Sequence, residues 1–180
     1  MTVNTADTDR ASKVAPVYLV YSGEIILDAP VKDAWRHVIN YPSWQNFPIV
    51  EHVSGEPGHE GEVVLLKKEE AGLTIGPYYT RTIKLDPERR VIWKVYLAEL
   101  ENVQGTGGAD ITGWVEFRLY DDGENRSRFW YNLIYELLVP YEHESELGRY
   151  REQQDREYAP AIHIMMGHLK ELVETGTVTR

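Results

Sequence analysis

The chain contains no cysteine. That excludes disulfides, thiolate nucleophiles, zinc–thiolate centres and iron–sulfur clusters. Basic residues are also in deficit, with 19 Lys and Arg against 29 Asp and Glu, a formal charge of -10 and a pI near 5.1. Nucleic-acid binding draws much of its affinity from clustered Lys and Arg, and only short pairs such as Lys67-Lys68 and Arg89-Arg90 occur. No nucleic-acid partner is expected. No run approaches the roughly 18 apolar residues of a membrane span, and the opening MTVNTADTDRASKVA has neither an apolar core nor a basic start. A soluble, cytoplasmic protein without a membrane span is expected. The six histidines show no HxH or HExxH spacing, and Glu142-His143-Glu144 alone is too common a pattern to hold a metal. GxGxxG, P-loop and GxSxG motifs are missing, and the GTGG at 105–108 lacks the strand-to-helix context that phosphate binding requires. Neither a metal nor a cofactor is expected.

Phenylalanine is scarce at 3 residues, whereas there are 12 Tyr and 5 Trp. Most rings therefore carry a polar handle, which suits a surface meeting both apolar and hydrogen-bonding groups, or an ordinary core whose hydroxyls reach the rim. With 180 residues and 42% hydrophobic content, one domain with a sizeable core is expected.

Along the chain, residues 1–15 are polar and aperiodic and read as a disordered tail ahead of a single domain over 16–176. The run VYLVYSGEIIL at 17–27 alternates as a strand, with Leu19, Tyr21, Gly23, Ile25 and Leu27 on one face. Pro30 opens a short helix through Val31, Trp35, Val38 and Ile39, and YPSWQNFP allows only a further turn or two. Strand patterns follow near 49–54, 61–68, 78–86, 90–98, 113–120 and 127–138, with hairpin chemistry at LDPERR and YDDGENR. The connections at 69–77 and 100–110 carry glycines and read as loops at a cavity mouth or as plain surface connections. From Glu144 to Glu174 a helical pattern places Asp155, Tyr158, Ile162, Met165, Met166, Leu169, Leu172 and Val173 on one side. Pro160 predicts a kink, with the N-terminal half as a movable cover.

Certain stretches resemble those of a known family: Ile26-Leu27-Asp28-Ala29-Pro30 with Trp35, Tyr41-Pro42-Ser43-Trp44, Lys84 to Arg90 entering Val91-Ile92-Trp93, and Asp121-Asp122-Gly123 followed by Phe129 to Tyr135. Over roughly residues 18–174 the chain resembles the START-like, birch-pollen-allergen-like superfamily, and within it the polyketide cyclase/dehydrase group. The resemblance implies an α+β helix-grip fold. A curved antiparallel sheet of about seven strands would wrap around a long C-terminal helix, with two short helices after strand 1. It implies a hydrophobic small-molecule ligand in an internal cavity, and it specifies the fold rather than a chemistry. The segment from Tyr141 to about Glu157 is longer than usual for the family.

Sorting each strand by its more apolar face turns Tyr79, Arg81, Ile83 and Leu85 inward, then Val91, Trp93, Val95 and Leu97, then Val115, Phe117 and Leu119. Phe129, Tyr131, Leu133, Tyr135 and Leu137 of the last strand and Tyr21 of the first join them. An inward Arg81 would bind a carboxylate or stabilise an enolate; the alternatives are a salt bridge or an outward position. Asp155, raised by burial, would serve as a base, or else would pair with Arg151 or Arg156 on the helix surface. Tyr131 is expected to donate to developing charge. Tyr21, Trp44, Tyr79, Trp93, Phe117, Tyr135, Tyr158 and Ile162 are expected to line the ligand, Trp44 alternatively serving as packing. Two readings follow. The first is a cofactor-independent enzyme acting on an oxygenated aromatic or polyketide-like molecule by cyclisation, dehydration, isomerisation or lyase chemistry. The second is a non-catalytic carrier or sensor of a lipid- or quinone-like ligand. A protein-binding module is a weaker third, and the sequence is compatible with a homodimer.

Overall fold

The computed structural model describes residues 13–45, 49–70, 73–97 and 110–178. Its elements are β1 (Lys13–Leu27), α1 (Val31–Val38), α2 (Tyr41–Gln45), β2 (Ile49–Ser54), β3 (Val63–Glu70), β4 (Leu73–Asp86), β5 (Arg90–Leu97), β6 (Asp110–Asp121), β7 (Ser127–Tyr141) and α3 (Glu144–Thr175). The expected hairpin chemistry fixes the meander. After β4 the turn closes with the Arg89 N–H donating to the Asp86 carbonyl at 3.1 Å, and Glu88 takes φ 60°. After β6, Gly123 sits at φ 72°, its N–H donates to Asp121 Oδ1 at 2.9 Å, and its carbonyl accepts from Arg126 N–H at 2.8 Å. Only antiparallel pairs result, in one seven-stranded sheet of order β1-β7-β6-β5-β4-β3-β2. This is the helix-grip architecture, with the curved sheet closed by α3.

Several boundaries differ from the sequence pattern. β1 starts at Lys13 rather than near 17, because Val14 and Ala15 continue the ladder against Pro140 and Val139. The 69–77 connection is mostly strand, since Glu69 and Glu70 pair with Thr74 and Leu73. The 100–109 part of the second connection lies outside the described residues. Pro160 sits within one helix of 32 residues, which α3 continues to an αL cap at Gly176.

The pleat sorts the sheet into rows. One row crosses the inner face as Leu19, Tyr135, Gly113, Val95, Thr80 and Val64, and the next as Tyr21, Leu133, Val115, Trp93 and Thr82. Helix α1 buries Ala34, Trp35 and Val38 on one stripe. Trp44 of α2 donates from Nε1 to the His37 carbonyl at 3.0 Å and packs on Phe117. The C-terminal half of α3 supplies Ile162, Met166 and Leu169 to this core. Its N-terminal half buries no residue fully. Leu147 and Tyr150 there pack against a smaller cluster of Val17, Leu19, Leu137 and Val139.

Candidate ligand site between the sheet and the long helix

Tyrosines converge where the lightly packed half of α3 crosses the inner face. Tyr21 of β1 donates from Oη to Asp155 Oδ1 of α3 at 3.1 Å, and Asp155 also faces Arg151 Nε at 3.9 Å. Tyr158, one helical turn further on, is 38% exposed as a residue. Its hydroxyl lies within electrostatic reach of Tyr21, Tyr78, Tyr135 and Tyr150. Tyr135 and Tyr131 lie flat across the sheet instead of standing up from it. Each ring covers the glycine paired with it, Tyr135 over Gly113 and Tyr131 over Gly23, where a Cβ would come within 2.6 Å of the ring's atoms. Those two glycines make room for the rings.

Burial is the first cause that raises the hydroxyl pKa of Tyr21, Tyr131, Tyr135, Tyr150 and Tyr158, and it pushes Tyr78 up to about 12. The neighbouring Asp155 carboxylate adds to the effect on Tyr21. These phenols are neutral hydrogen-bond donors near neutral pH, the reverse of the lowered values that general-acid tyrosines need. Unfolded tyrosines titrate near pH 10, so the folded state binds more protons above that pH. Their contribution to stability is complete below about pH 10 and is lost as pH rises through the folded values. Phenolate absorbance at 295 nm from these residues is expected only together with alkaline unfolding, with the far-ultraviolet circular dichroism lost in the same step.

The positions expected from sequence divide into two groups. Tyr21, Tyr131, Tyr135, Tyr158, Trp93, Phe117 and Ile162 lie on the inner face or on α3 toward it. Trp44, 1% exposed, belongs to the packed core, with Phe117 at 5.5 Å between ring centroids. Arg81 and Tyr79 are corrections. Arg81 is exposed and opposes Lys94, and Tyr79 packs on Tyr96 at 5.5 Å on the outer face. A bulge between Thr82 and Lys84 is the reason. Leu85 faces inward as expected, but the extra residue shifts parity, so Tyr78, Thr80 and Thr82 turn inward and Ile83 is 43% exposed. Asp155 keeps both of the arrangements open in the sequence, since it reaches Tyr21 and pairs with Arg151. With its side chain 49% exposed it lacks the burial expected of a base.

Sequence reasoning missed Tyr78, Tyr150, Thr80 and Tyr41. Tyr41 packs on Trp93 with 4.7 Å between ring centroids, and its Oη and Thr80 Oγ1 are buried side by side. The Tyr78-Tyr79 pair gave the only signal, because one of two adjacent strand residues must face inward.

No protein-family model and no curated protein matches this sequence. Solved structures do match. An uncharacterized protein from Rhizobium leguminosarum is similar at 12% identity with a TM-score of 0.65, over 90% of this chain and 98% of that one. Norcoclaurine synthase from Thalictrum flavum, in complex with dopamine and hydroxybenzaldehyde, is similar at 14% identity with a TM-score of 0.56, over 88% and 87%. Ara h 8.0201 is similar at 12% identity with a TM-score of 0.54, over 85% and 98%. At these identities the likeness is one of fold. The chain shares the helix-grip fold of these structures. One similar structure is thus an enzyme.

Proposed function

We propose that this protein binds a hydrophobic, oxygenated small molecule, aromatic or polyketide-like, between the inner sheet face and the N-terminal half of α3. The observation that carries this reading is the Tyr158 hydroxyl within electrostatic reach of those of Tyr21, Tyr78, Tyr135 and Tyr150. Partly buried phenols beside an apolar surface accept the hydrophobic body of a ligand and donate to its oxygens, which is how mostly apolar pockets fix orientation. The norcoclaurine synthase structure holds two oxygenated aromatics, which agrees in class with this reading.

A catalytic reading rests on the Tyr21–Asp155 hydrogen bond. It has the protein, without a cofactor, catalyse cyclisation, dehydration, isomerisation or lyase cleavage by proton transfer beside a carbonyl. Asp155, held by the Tyr21 hydroxyl, is the group that takes the proton, and Tyr131 donates to the oxygen that gains charge. Arg81 has no part in it, being on the opposite face.

Native mass spectrometry of freshly purified protein, followed by denaturing extraction, tests the binding reading. An oxygenated aromatic is expected in the wild type and in Arg81→Ala. Its occupancy is expected to fall about five- to tenfold in Tyr158→Phe, the loss of one hydrogen bond of about 1 kcal/mol or a little more. A bound alkyl lipid retained equally by all three proteins would favour a carrier of apolar ligands and remove Tyr158 from the site.

A further inference from the structure

The distribution of charge narrows the class of ligand. In the inner row through Tyr135, the residues Leu19, Gly113, Val95 and Thr80 bring no charged side chain, and the row through Leu133 brings none from β1 to β4 before it reaches Glu62, whose carbonyl accepts from Thr82 N–H. Cations of the same strands go to the outer face. Lys94 stands over the Trp114 ring at 5.4 Å, Arg118 meets Glu116 Oε1 at 2.6 Å, and Arg81 is exposed beside Lys94. Lys13 shares the inward parity of β1, but it stands over the Tyr141 ring about 26 Å along an extended strand from Tyr21.

The charges that do reach the site's surroundings are mostly acidic. Asp155 borders the tyrosines, with Arg151 set against it at 3.9 Å, and Glu62, which has His52 Nε2 at 3.6 Å, is within electrostatic reach of the Tyr41 hydroxyl. What the interior offers a ligand is O–H donors: the tyrosines of the cluster, and the buried hydroxyls of Tyr41 and Thr80, which lie against each other.

Building on the binding reading above, we propose that the site selects an uncharged, carbonyl-bearing hydrophobic molecule of the ketone or quinone class and rejects a carboxylate of the same shape. A carbonyl oxygen has two lone pairs and no proton to place, so one or two phenol donors satisfy it completely. A carboxylate leaving water would need a buried counter-charge, and it would instead meet Asp155. An ammonium would need acceptors, and Asp155 is already engaged by Tyr21 and Arg151.

Three probes with one ring system separate the cases by calorimetric titration of the full chain at pH 7: 2-acetylnaphthalene, 2-naphthoate and 2-naphthylmethylammonium. The ketone is expected to bind at least about tenfold more tightly than either ion, since an unpaired buried charge costs more than the 1.4 kcal/mol that a factor of ten represents. Naphthoate or the ammonium binding as tightly as the ketone overturns the selectivity while leaving the binding reading in place. If none of the three binds, the binding reading itself fails and the selectivity with it.

Discussion

Phe117→Ala is expected to lower unfolding free energy by about 3–5 kcal/mol, the cost of emptying a large aromatic site that cannot collapse. Phe117 is fully buried, and its ring is within 5.5 Å of Trp44, 5.3 Å of Trp93 and 5.0 Å of Phe129 between centroids. It therefore ties α2 to β5, β6 and β7 at one point. At about 2–4 °C per kcal/mol for a chain of this size, the melting temperature should fall by roughly 6–20 °C. Phe117→Leu keeps most of the volume and should lose less than half as much. Urea unfolding followed by tryptophan fluorescence measures both. A loss below about 1 kcal/mol for the alanine variant would show that the aromatic cluster is loosely packed.

Gly113→Ala is expected to cost about 1–3 kcal/mol through overpacking, although alanine is otherwise the better residue in an extended strand. The added methyl would lie 2.6 Å from Tyr135 Cδ1, inside any permitted contact, and the ring would have to leave the sheet surface. Gly23→Ala has a different first contact, with Tyr131 Oη at 2.6 Å and Cζ at 2.9 Å. The two sites therefore respond differently to removal of the hydroxyl. Tyr131→Phe should relieve part of the Gly23→Ala cost, and Tyr135→Phe should leave the Gly113→Ala cost nearly unchanged. Two double-mutant cycles read this, with coupling of at least about 0.5 kcal/mol expected in the first and near zero in the second. Equal coupling in both would mean that the rings are not held over their glycines.

Much of the architecture is a consequence of local chemistry. Asp86-Pro87-Glu88-Arg89 and Asp121-Asp122-Gly123 form turns wherever strand patterns flank them, so β4–β5 and β6–β7 had to be hairpins. The alternation in β7 is uninterrupted from Ser127 to Leu133, and its buried residues fall where a period of two puts them. Tyr131 and Tyr135 were thus legible as inward residues. In β4 the same reasoning failed from Tyr79 to Ile83, because the bulge between Thr82 and Lys84 changes parity and two threonines occupy the inner positions. A threonine and an isoleucine have similar strand preferences, so nothing local marks which of them faces inward.

The sequence by itself determined the element order, the turns, the inward faces of β1, β5, β6 and β7, and the helical stripe that puts Asp155 and Tyr158 on one side of α3. Each depends on residues within a few positions of one another. Only the tertiary structure decided that Arg81 and Tyr79 lie outside, that Tyr78 and Thr80 lie inside, and that four tyrosines from β1, β4, β7 and α3 come within electrostatic reach of Tyr158, one of them, Tyr21, donating to Asp155. Those facts depend on a one-residue bulge and on contacts between positions more than a hundred residues apart, such as Tyr21 with Asp155. Packing across the whole sheet settles such contacts, and no local pattern encodes them.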